Sequence, residues 1–284
     1  MIQQRIQRTT MTNLQYFNQA VEILLESGNE DAVFDTECIF EKAFGINKTQ
    51  YFIRKNDTAD TEKAEDFLRM IERRKNYEPL QYILGQWEFY GLDFKVGEGV
   101  LIPRPDTEIL IDYVLENKVS DNPIIYDLCS GSGCIGITVA KNIESAKVYL
   151  SEKSPLAYKY LEENIGLNGT TNVYPYLKPI PEVLEDFPEA DIIISNPPYI
   201  KSDEVPFLQK EVQLEPTMAL DGGEDGLYFY RLLKDYAIPK LKKGGYIIVE
   251  CGDTQARDVA EIFETDIILK DYSSIERAVV KRKE

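Results

Sequence analysis

The sequence contains no histidine. That absence removes Ser–His and Cys–His activation of a nucleophile, and imidazole-bound metal, together. Cysteine is sparse: Cys38, Cys129, Cys134 and Cys251 form no Cys-x-x-Cys pair. They give neither a zinc spacing nor a disulfide framework, so no metal is expected and the four read as small buried thiols in a reducing compartment. No apolar run is long enough to cross a bilayer and no secretory signal is visible, so a cytoplasmic location without membrane contact is expected. Basic residues are in deficit, 32 against 49 acidic ones, for a net charge of -17. Such a surface repels polyanions, and direct nucleic-acid binding is not expected.

What is present suits a large domain joined to a small one, with 284 residues of which 43% are hydrophobic. The opening dozen residues are polar and predicted to fray. Leu14, Phe17, Val21, Leu24 and Leu25 then recur at helical spacing, as do Ala64, Phe67, Leu68 and Ile71. Short helices are predicted around Cys38–Ala43 and Thr49–Ile53, with breaks at Gly28-Asn29 and Gly45-Ile46-Asn47. Residues 1–84 therefore read as an N-terminal helical bundle that either packs only or grips a substrate. Pro79 ends the helical pattern. Trp87 to Val96 alternates around a glycine, which predicts a β-hairpin, so that 85–104 reads as a hairpin linker. Pro103 and Pro105 delay the next helix until Asp106 or Thr107 acts as its N-cap; that helix buries Ile109, Leu110, Tyr113 and Val114.

Over 105–284 the rhythm becomes strand, turn, helix. Strands are predicted at Ile124–Leu128, Lys147–Leu150, Asp191–Ile194 and Gly245–Glu250. The intervening helices run from the glycine loop to about Lys141, Pro155–Leu167 (with Leu156, Tyr160, Leu161 and Ile165 on one face), Asp225–Ala237 and Ala256–Phe263. The segments Asp266–Leu269 and Ala278–Lys281 are expected to pair antiparallel. The fold class is therefore α/β, a parallel sheet with helices on both faces.

Two motifs carry chemistry. Gly131-x-Gly133-x-x-Gly136 lies between a strand and a helix, where glycines let the backbone approach a ligand. Glu152 stands at the end of the next strand, placed to accept hydrogen bonds from ribose hydroxyls. The pair indicates an adenosine-containing cofactor, NAD or S-adenosylmethionine. The antiparallel end of the sheet and a second motif on the same edge favour S-adenosylmethionine, as does a chain without histidine, since methyl transfer needs alignment more than acid–base catalysis. Asp127, ending the first strand, is either a loop cap or a partner for the cofactor's charged methionine end. The second motif is Ser195-Asn196-Pro197-Pro198-Tyr199, behind Ile192-Ile193-Ile194. Two prolines force the chain out of the sheet and present one amide, two carbonyls and a ring. Taken alone, it is also what a strand-ending turn looks like.

The ordered set of motifs resembles the peptide chain release factor N5-glutamine methyltransferases, the HemK/PrmC family. It comprises Glu78-Pro-Leu-Gln-Tyr-Ile-Leu-Gly85, Leu101-Ile-Pro-Arg-Pro-Asp-Thr-Glu108, Asp127-Leu-Cys-Ser-Gly-Ser-Gly133, Ser195-Asn-Pro-Pro-Tyr-Ile200, Glu215-Pro216, Gly222-Gly-Glu-Asp-Gly-Leu227 and Glu250-Cys-Gly-Asp-Thr-Gln255. The resemblance spans about Arg73 to about Gln255. It implies a Rossmann-like, S-adenosylmethionine-dependent methyltransferase sheet acting on the glutamine of the Gly-Gly-Gln loop of class 1 release factors. By position it implies that Cys129, Ser130, Gly131, Ser132 and Gly133 form the cofactor loop and that Glu152 binds the ribose. Asn196 would lie between cofactor and substrate, with Asn196, Pro197, Pro198 and Tyr199 holding the glutamine. Two departures stand out. Cys129 replaces a frequent glycine, which asks for an ordinary backbone conformation there, and no adenine-stacking aromatic is evident in Tyr174–Pro179.

The chemistry suits the motif. An amide nitrogen is a poor nucleophile because its lone pair is delocalised. Accepting hydrogen bonds from both N–H groups, at the Asn196 oxygen and the Pro197 carbonyl, aims that lone pair at a methyl, and Tyr199 can cover the flat amide. The same turn would serve an adenine amine, so a DNA adenine N6-methyltransferase is the main rival, disfavoured by acidity and the lack of a basic recognition segment. Glutamine methylation of a ribosomal protein is a closer rival, and a non-catalytic adaptor is a third reading.

Overall fold

The structure is a computed structural model that describes residues 11–284; most of the opening dozen, predicted to fray, lies outside the described residues. The chain divides into two compact units, Met1–Gly85 and Gln86–Glu284.

The first unit is helical: α1 (Asn13–Glu26), α2 (Ala32–Phe44), α3 (Lys48–Arg54), α4 (Thr61–Lys75) and α5 (Leu80–Leu84). Capping boxes at Thr12/Gln15 and Asn47/Gln50 start α1 and α3. Phe40 stacks on Phe44 at 4.2 Å between ring centroids and meets Phe67 edge-on at 5.3 Å, tying α2 to α4. α2 is twice the predicted length because its first turns bury Asp35 and Thr36, which break the apolar period. Asp35 is compensated by Arg74 at 2.5 Å. Pro79, expected to end the helical pattern, instead precedes a further short helix, α5, a place where its fixed φ and missing N–H cost nothing.

The second unit opens with the predicted hairpin, β1 (Gln86–Phe89) against β2 (Leu92–Lys95), with Trp87 opposite Phe94. Tyr90 and Gly91 both have positive φ, as a two-residue turn matched to strand twist requires. α6 (Glu108–Glu116) leads to β3 (Ile124–Leu128), α7 (Cys134–Asn142), β4 (Lys147–Glu152), α8 (Pro155–Asn168), β5 (Val173–Leu177), α9 (Ile180–Asp186) and β6 (Ala190–Ser195). After the short α10 (Thr217–Leu220) and α11 (Tyr228–Leu232) come β7 (Leu241–Glu250), α12 (Ala256–Phe263), β8 (Ile267–Lys270) and β9 (Glu276–Arg282). The seven-stranded sheet has the order β5-β4-β3-β6-β7-β9-β8, and only β9 runs against the rest. Strand order reverses between β3 and β6, so their carboxyl ends border a crevice of the kind where open α/β sheets bind ligands. Ile192 and Ile194 join a core on one face of the sheet and Ile193 a core on the other, which is why β6 reads as an unbroken apolar run.

In the second unit, β5, α8 and the helix after Asp225 depart from the reading of the sequence. Pro175 disguised β5, which pairs only with β4 at the sheet's edge, where a missing N–H is tolerated. On α8 the buried positions are Ala157, Leu161 and Asn164, while Leu156 is exposed. Asn164 breaks the apolar pattern because it is fully buried and bonds both backbone groups of Lys95 and the Ser132 carbonyl. The helix predicted from Asp225 starts at Tyr228 because the Asp225 carboxylate accepts from Leu227 N–H and holds a turn there; it widens to π geometry over Leu233–Ala237.

Candidate active site

The chain leaves β3 at Cys129 and turns at once. Cys129 has φ of +63°, so the ordinary backbone expected for it is wrong. The turn requires the left-handed region, which costs a residue with a Cβ about 1–2 kcal/mol and explains why glycine suits the position. Ser130 N–H donates to the Ser151 carbonyl at 3.0 Å, and its hydroxyl to the Asp127 carbonyl at 2.7 Å. Gly131 N–H donates to Glu152 Oε2 at 2.9 Å, and Ser154 N–H to Glu152 Oε1 at 2.6 Å. The carboxylate at the end of β4 thus braces the loop after β3.

Gly133 and Gly136 serve packing rather than contact. A Cβ on Gly133 would run into Leu161 and Ile137, and one on Gly136 would sit 2.9 Å from Asp127 Oδ2. The Gly136 N–H donates to that same oxygen at 2.9 Å. Asp127 is fully buried and its Oδ1 has no partner among the described residues. Burial is the largest cause raising its carboxyl to about 7; nearby Glu152 adds to the rise and the Gly136 bond opposes it.

A cavity of about 310 Å³ opens over the carboxyl ends of β3, β4 and β6. Of the residues singled out in the sequence, Cys129, Ser130, Gly131, Ser132, Glu152, Asn196 and Pro198 line it. Gly133, Asp127, Pro197 and Tyr199 are not among the lining residues. Sequence reasoning missed the apolar wall of Pro179, Ile180, Tyr228 and Phe229. Nothing in Pro179-Ile180 marks a ligand wall until α9 is placed. Arg104 also reaches the lining, paired with the buried Glu215, whose other oxygen accepts from Ile102 N–H at 3.0 Å.

On the opposite side, Ser195 ends β6 with its hydroxyl on the Leu128 carbonyl at 2.6 Å. The Asn196 amide Nδ2 donates to Thr107 Oγ1 at 3.2 Å, and Thr107 Oγ1 donates to Glu250 Oε2 at 2.5 Å. Tyr199 donates its hydroxyl to Glu250 Oε1 at 3.4 Å. Thr107 was expected as a possible N-cap of α6; its side chain caps nothing and is spent on this network instead. Glu250 is fully buried, and burial pushes its carboxyl up to about 7 against the lowering effects of Thr107, Arg277 and Tyr199. The Tyr199 phenol is raised as well, by burial first and by Glu250 second.

The backbone of the turn is clamped. Gln255 Nε2 donates to the Tyr199 carbonyl at 2.8 Å. Gly222 and Gly226 pass so close that a Cβ on either would lie 2.7 Å from Tyr199 Cα or 2.5 Å from the Tyr199 oxygen, respectively. The spaced glycines of Gly222-Gly-Glu-Asp-Gly226 were the signal for this approach.

Comparison with known proteins follows the same division. Residues 15–85 match the PrmC N-terminal domain, and residues 113–215 match the TRM5/TYW2 methyltransferase domain. A release factor glutamine methyltransferase of Fusobacterium nucleatum is 39% identical over 95% of this chain and 79% of its own length. One from Thermodesulfovibrio yellowstonii is 41% identical over 84% of this chain and 88% of its own. A solved methyltransferase of Pyrococcus furiosus superposes with a TM-score of 0.50 at 18% identity, covering 68% of this chain and 89% of that one; it shares the fold. With a Rossmann-like sheet, a glycine loop and an Asn-Pro-Pro-Tyr turn on one cavity, and relatives this similar over most of its length, the chain belongs to the release factor glutamine methyltransferases.

Proposed function

We propose that this enzyme methylates the side-chain amide nitrogen (N5) of the glutamine in the Gly-Gly-Gln loop of class 1 release factors, using S-adenosylmethionine. The observation that carries the reading is the Asn196 amide at the cavity wall. Its nitrogen is tied to Thr107, and Oδ1 has no protein partner among the described residues. An acceptor oxygen left free beside a cofactor loop suits a substrate that brings N–H groups.

The residues present fit the cofactor. Asp127 Oδ1, buried without a partner, is an anionic site in want of a cation such as the methionine ammonium. Glu152 lines the cavity and is assigned the ribose; of the loop Cys129 to Gly133, the first four residues line the cavity for the cofactor to approach, and Gly133 lets the loop pack on Leu161 and Ile137. When bound, S-adenosylmethionine supplies an electrophilic methyl on a sulfonium.

The remaining work falls to the protein. Asn196 Oδ1 and the Pro197 carbonyl accept the two N–H groups of the glutamine, orienting its nitrogen. Pro198 at the lining and Tyr199 behind it limit how the flat amide lies. No base is needed before attack, because the nitrogen becomes acidic only once alkylated. The fully buried Glu250 does not line the cavity and is not assigned that role.

Residues 1–84 are assigned to recognition of the release factor, 85–104 to the linker and 105–284 to catalysis. No helix among the described residues is long and apolar enough to cross a membrane. The translational substrate supports a cytoplasmic location, and the net charge of -17 supports action without direct nucleic-acid binding. The test is incubation with methyl-labelled S-adenosylmethionine and, separately, a release factor, a ribosomal protein and duplex DNA. Label on the release-factor glutamine is expected; label on DNA alone overturns the reading.

A further inference from the structure

We propose that Thr107 and Glu250 are positioning residues that dictate which end of the Asn196 amide faces the acceptor. This rests on the reading above, in which Asn196 Oδ1 receives a substrate N–H.

Donors and acceptors around Thr107 fix the direction of each bond. An ionised carboxylate only accepts, while a hydroxyl has a single proton to donate. With Thr107 Oγ1 2.5 Å from Glu250 Oε2, that proton is committed to Glu250. Thr107 can then only accept from Asn196, so Asn196 must turn its NH₂ towards it, at 3.2 Å. The oxygen is left for the substrate. The polarity of the relay therefore follows from Glu250. Tyr199, donating to the other Glu250 oxygen, reinforces the same direction. A protonated Glu250 could donate to Thr107 instead, whose proton would then be free to turn to Asn196 and pull its oxygen away from the cavity.

Thr107 lines the cavity and Glu250 stands outside the lining. Thr107 forms no cap for α6, and Glu250 sits at the end of β7, fully buried, where an unused carboxylate would be costly. The charged and titratable groups facing Glu250 are Arg277 from β9, which stabilises the anion, Asp106 before α6, which opposes it, Tyr199 from the turn after β6, and the Tyr230 phenol and the Cys251 and Cys134 thiols, all three raised and so neutral. Arg277 is itself held by Asp271 at 3.1 Å and Asp106 at 3.6 Å. This balance leaves the Glu250 carboxyl titrating at about 7.

The experiment uses the full chain with Thr107→Val, Thr107→Ser, Glu250→Gln and Asn196→Ala. Thr107→Val keeps the shape and removes the hydroxyl; Glu250→Gln keeps the shape and offers a donor. Each is expected to lower kcat about tenfold or more, less than loss of a directly contacting group, with the dissociation constant for S-adenosylmethionine little changed; Thr107→Val, which strips a donor from the buried carboxylate, should also lower the melting temperature. Thr107→Ser should recover most of what Thr107→Val loses. In the Asn196→Ala background, Thr107→Val should cost nothing further. In the wild type, kcat should fall as pH drops through about 7, and that inflection should vanish in Glu250→Gln.

A readout independent of turnover is the Asn196 side-chain NH₂ signal under selective ¹⁵N-asparagine labelling, identified by its loss in Asn196→Ala. Its hydrogen exchange should quicken about tenfold in Thr107→Val. An unaltered kcat and exchange rate in Thr107→Val, with Asn196→Ala inactive, overturns the relay and leaves the Asn196 assignment standing. Full activity in Asn196→Ala overturns that assignment instead, and the exchange rates still decide whether the relay exists.

Discussion

The two sides of the cavity are made of different material. The side proposed for the cofactor is chiefly backbone: a loop after β3 braced by one carboxylate from the end of β4, its two oxygens each taking a single N–H. The side proposed for the acceptor is a run of side chains, Asn196, Thr107, Glu250 and Tyr199, whose longest link joins residues 143 positions apart. A backbone cradle fixes a ligand by shape and tolerates exchange of most side chains around it. A side-chain relay fixes the direction of individual protons and tolerates almost none.

That contrast predicts which substitutions alter chemistry and which alter binding. The largest expected effect is on the acceptor side: Asn196→Ala lowers kcat by about 10²–10³ while cofactor affinity stays within about tenfold. Steady-state kinetics together with a binding titration measure both; loss confined to affinity would erase the distinction. Next, Gly226→Ala places a Cβ 2.5 Å from the Tyr199 oxygen at a φ of +73°, and should cost about 2–3 kcal/mol in denaturant unfolding. A Gly226→Ala protein as stable as the wild type would mean that the turn is held elsewhere.

On the cofactor side, Glu152→Ala leaves two N–H groups without their acceptor. It should weaken S-adenosylmethionine binding about 10- to 100-fold, the worth of hydrogen bonds to a charged group, with kcat at saturation retained. Equal affinity in a titration would remove Glu152 from the ribose.

The smallest effect is a slope. Asp127 titrates at about 7 without ligand, and a bound cation should hold it ionised, so binding below that pH releases a proton. Affinity should then fall by up to about tenfold per pH unit below 7, and Asp127→Asn should flatten the dependence. In the absence of cofactor the linkage has the opposite sense. Because its native pKa is raised from 3.8 to about 7, Asp127 binds more protons folded than unfolded. Its contribution to stability is complete below about 4 and is lost as pH rises through about 7. Thermal melts across that window measure it.

The same division governs what could be read from the sequence. Gly131, Gly133 and Gly136 sit at a fixed local spacing between a strand and a helix, and Glu152 follows at the next strand end, so the cofactor side is a short-range pattern. The apolar run Ile192–Ile194 marked the buried strand that carries the second motif. Thr107 and Glu250 lie on either side of Asn196 in distant segments, and only the order β3-β6-β7 brings them together. Their residue types gave no hint, since Thr107 looked like a helix cap. Pro175 and Asn164 misled for a related reason. Each violates a local rule that the sheet edge or a buried hydrogen bond then excuses.

The close passage of Gly222 and Gly226 over Tyr199 has a consequence for how the site comes into being. Pro197 and Pro198 restrict the chain before it folds, so much of the turn's ordering is already done in the unfolded ensemble. The glycines do the reverse: they are the loosest residues in the unfolded chain and lose the most freedom when fixed. Their ordering is supported by a few backbone bonds, such as Gly222 N–H to the Ile200 carbonyl at 2.7 Å and Tyr228 N–H to the Gly222 carbonyl at 3.1 Å. The proline turn should therefore set early and the glycine loop over it last, and in the folded protein that loop should be first to let go.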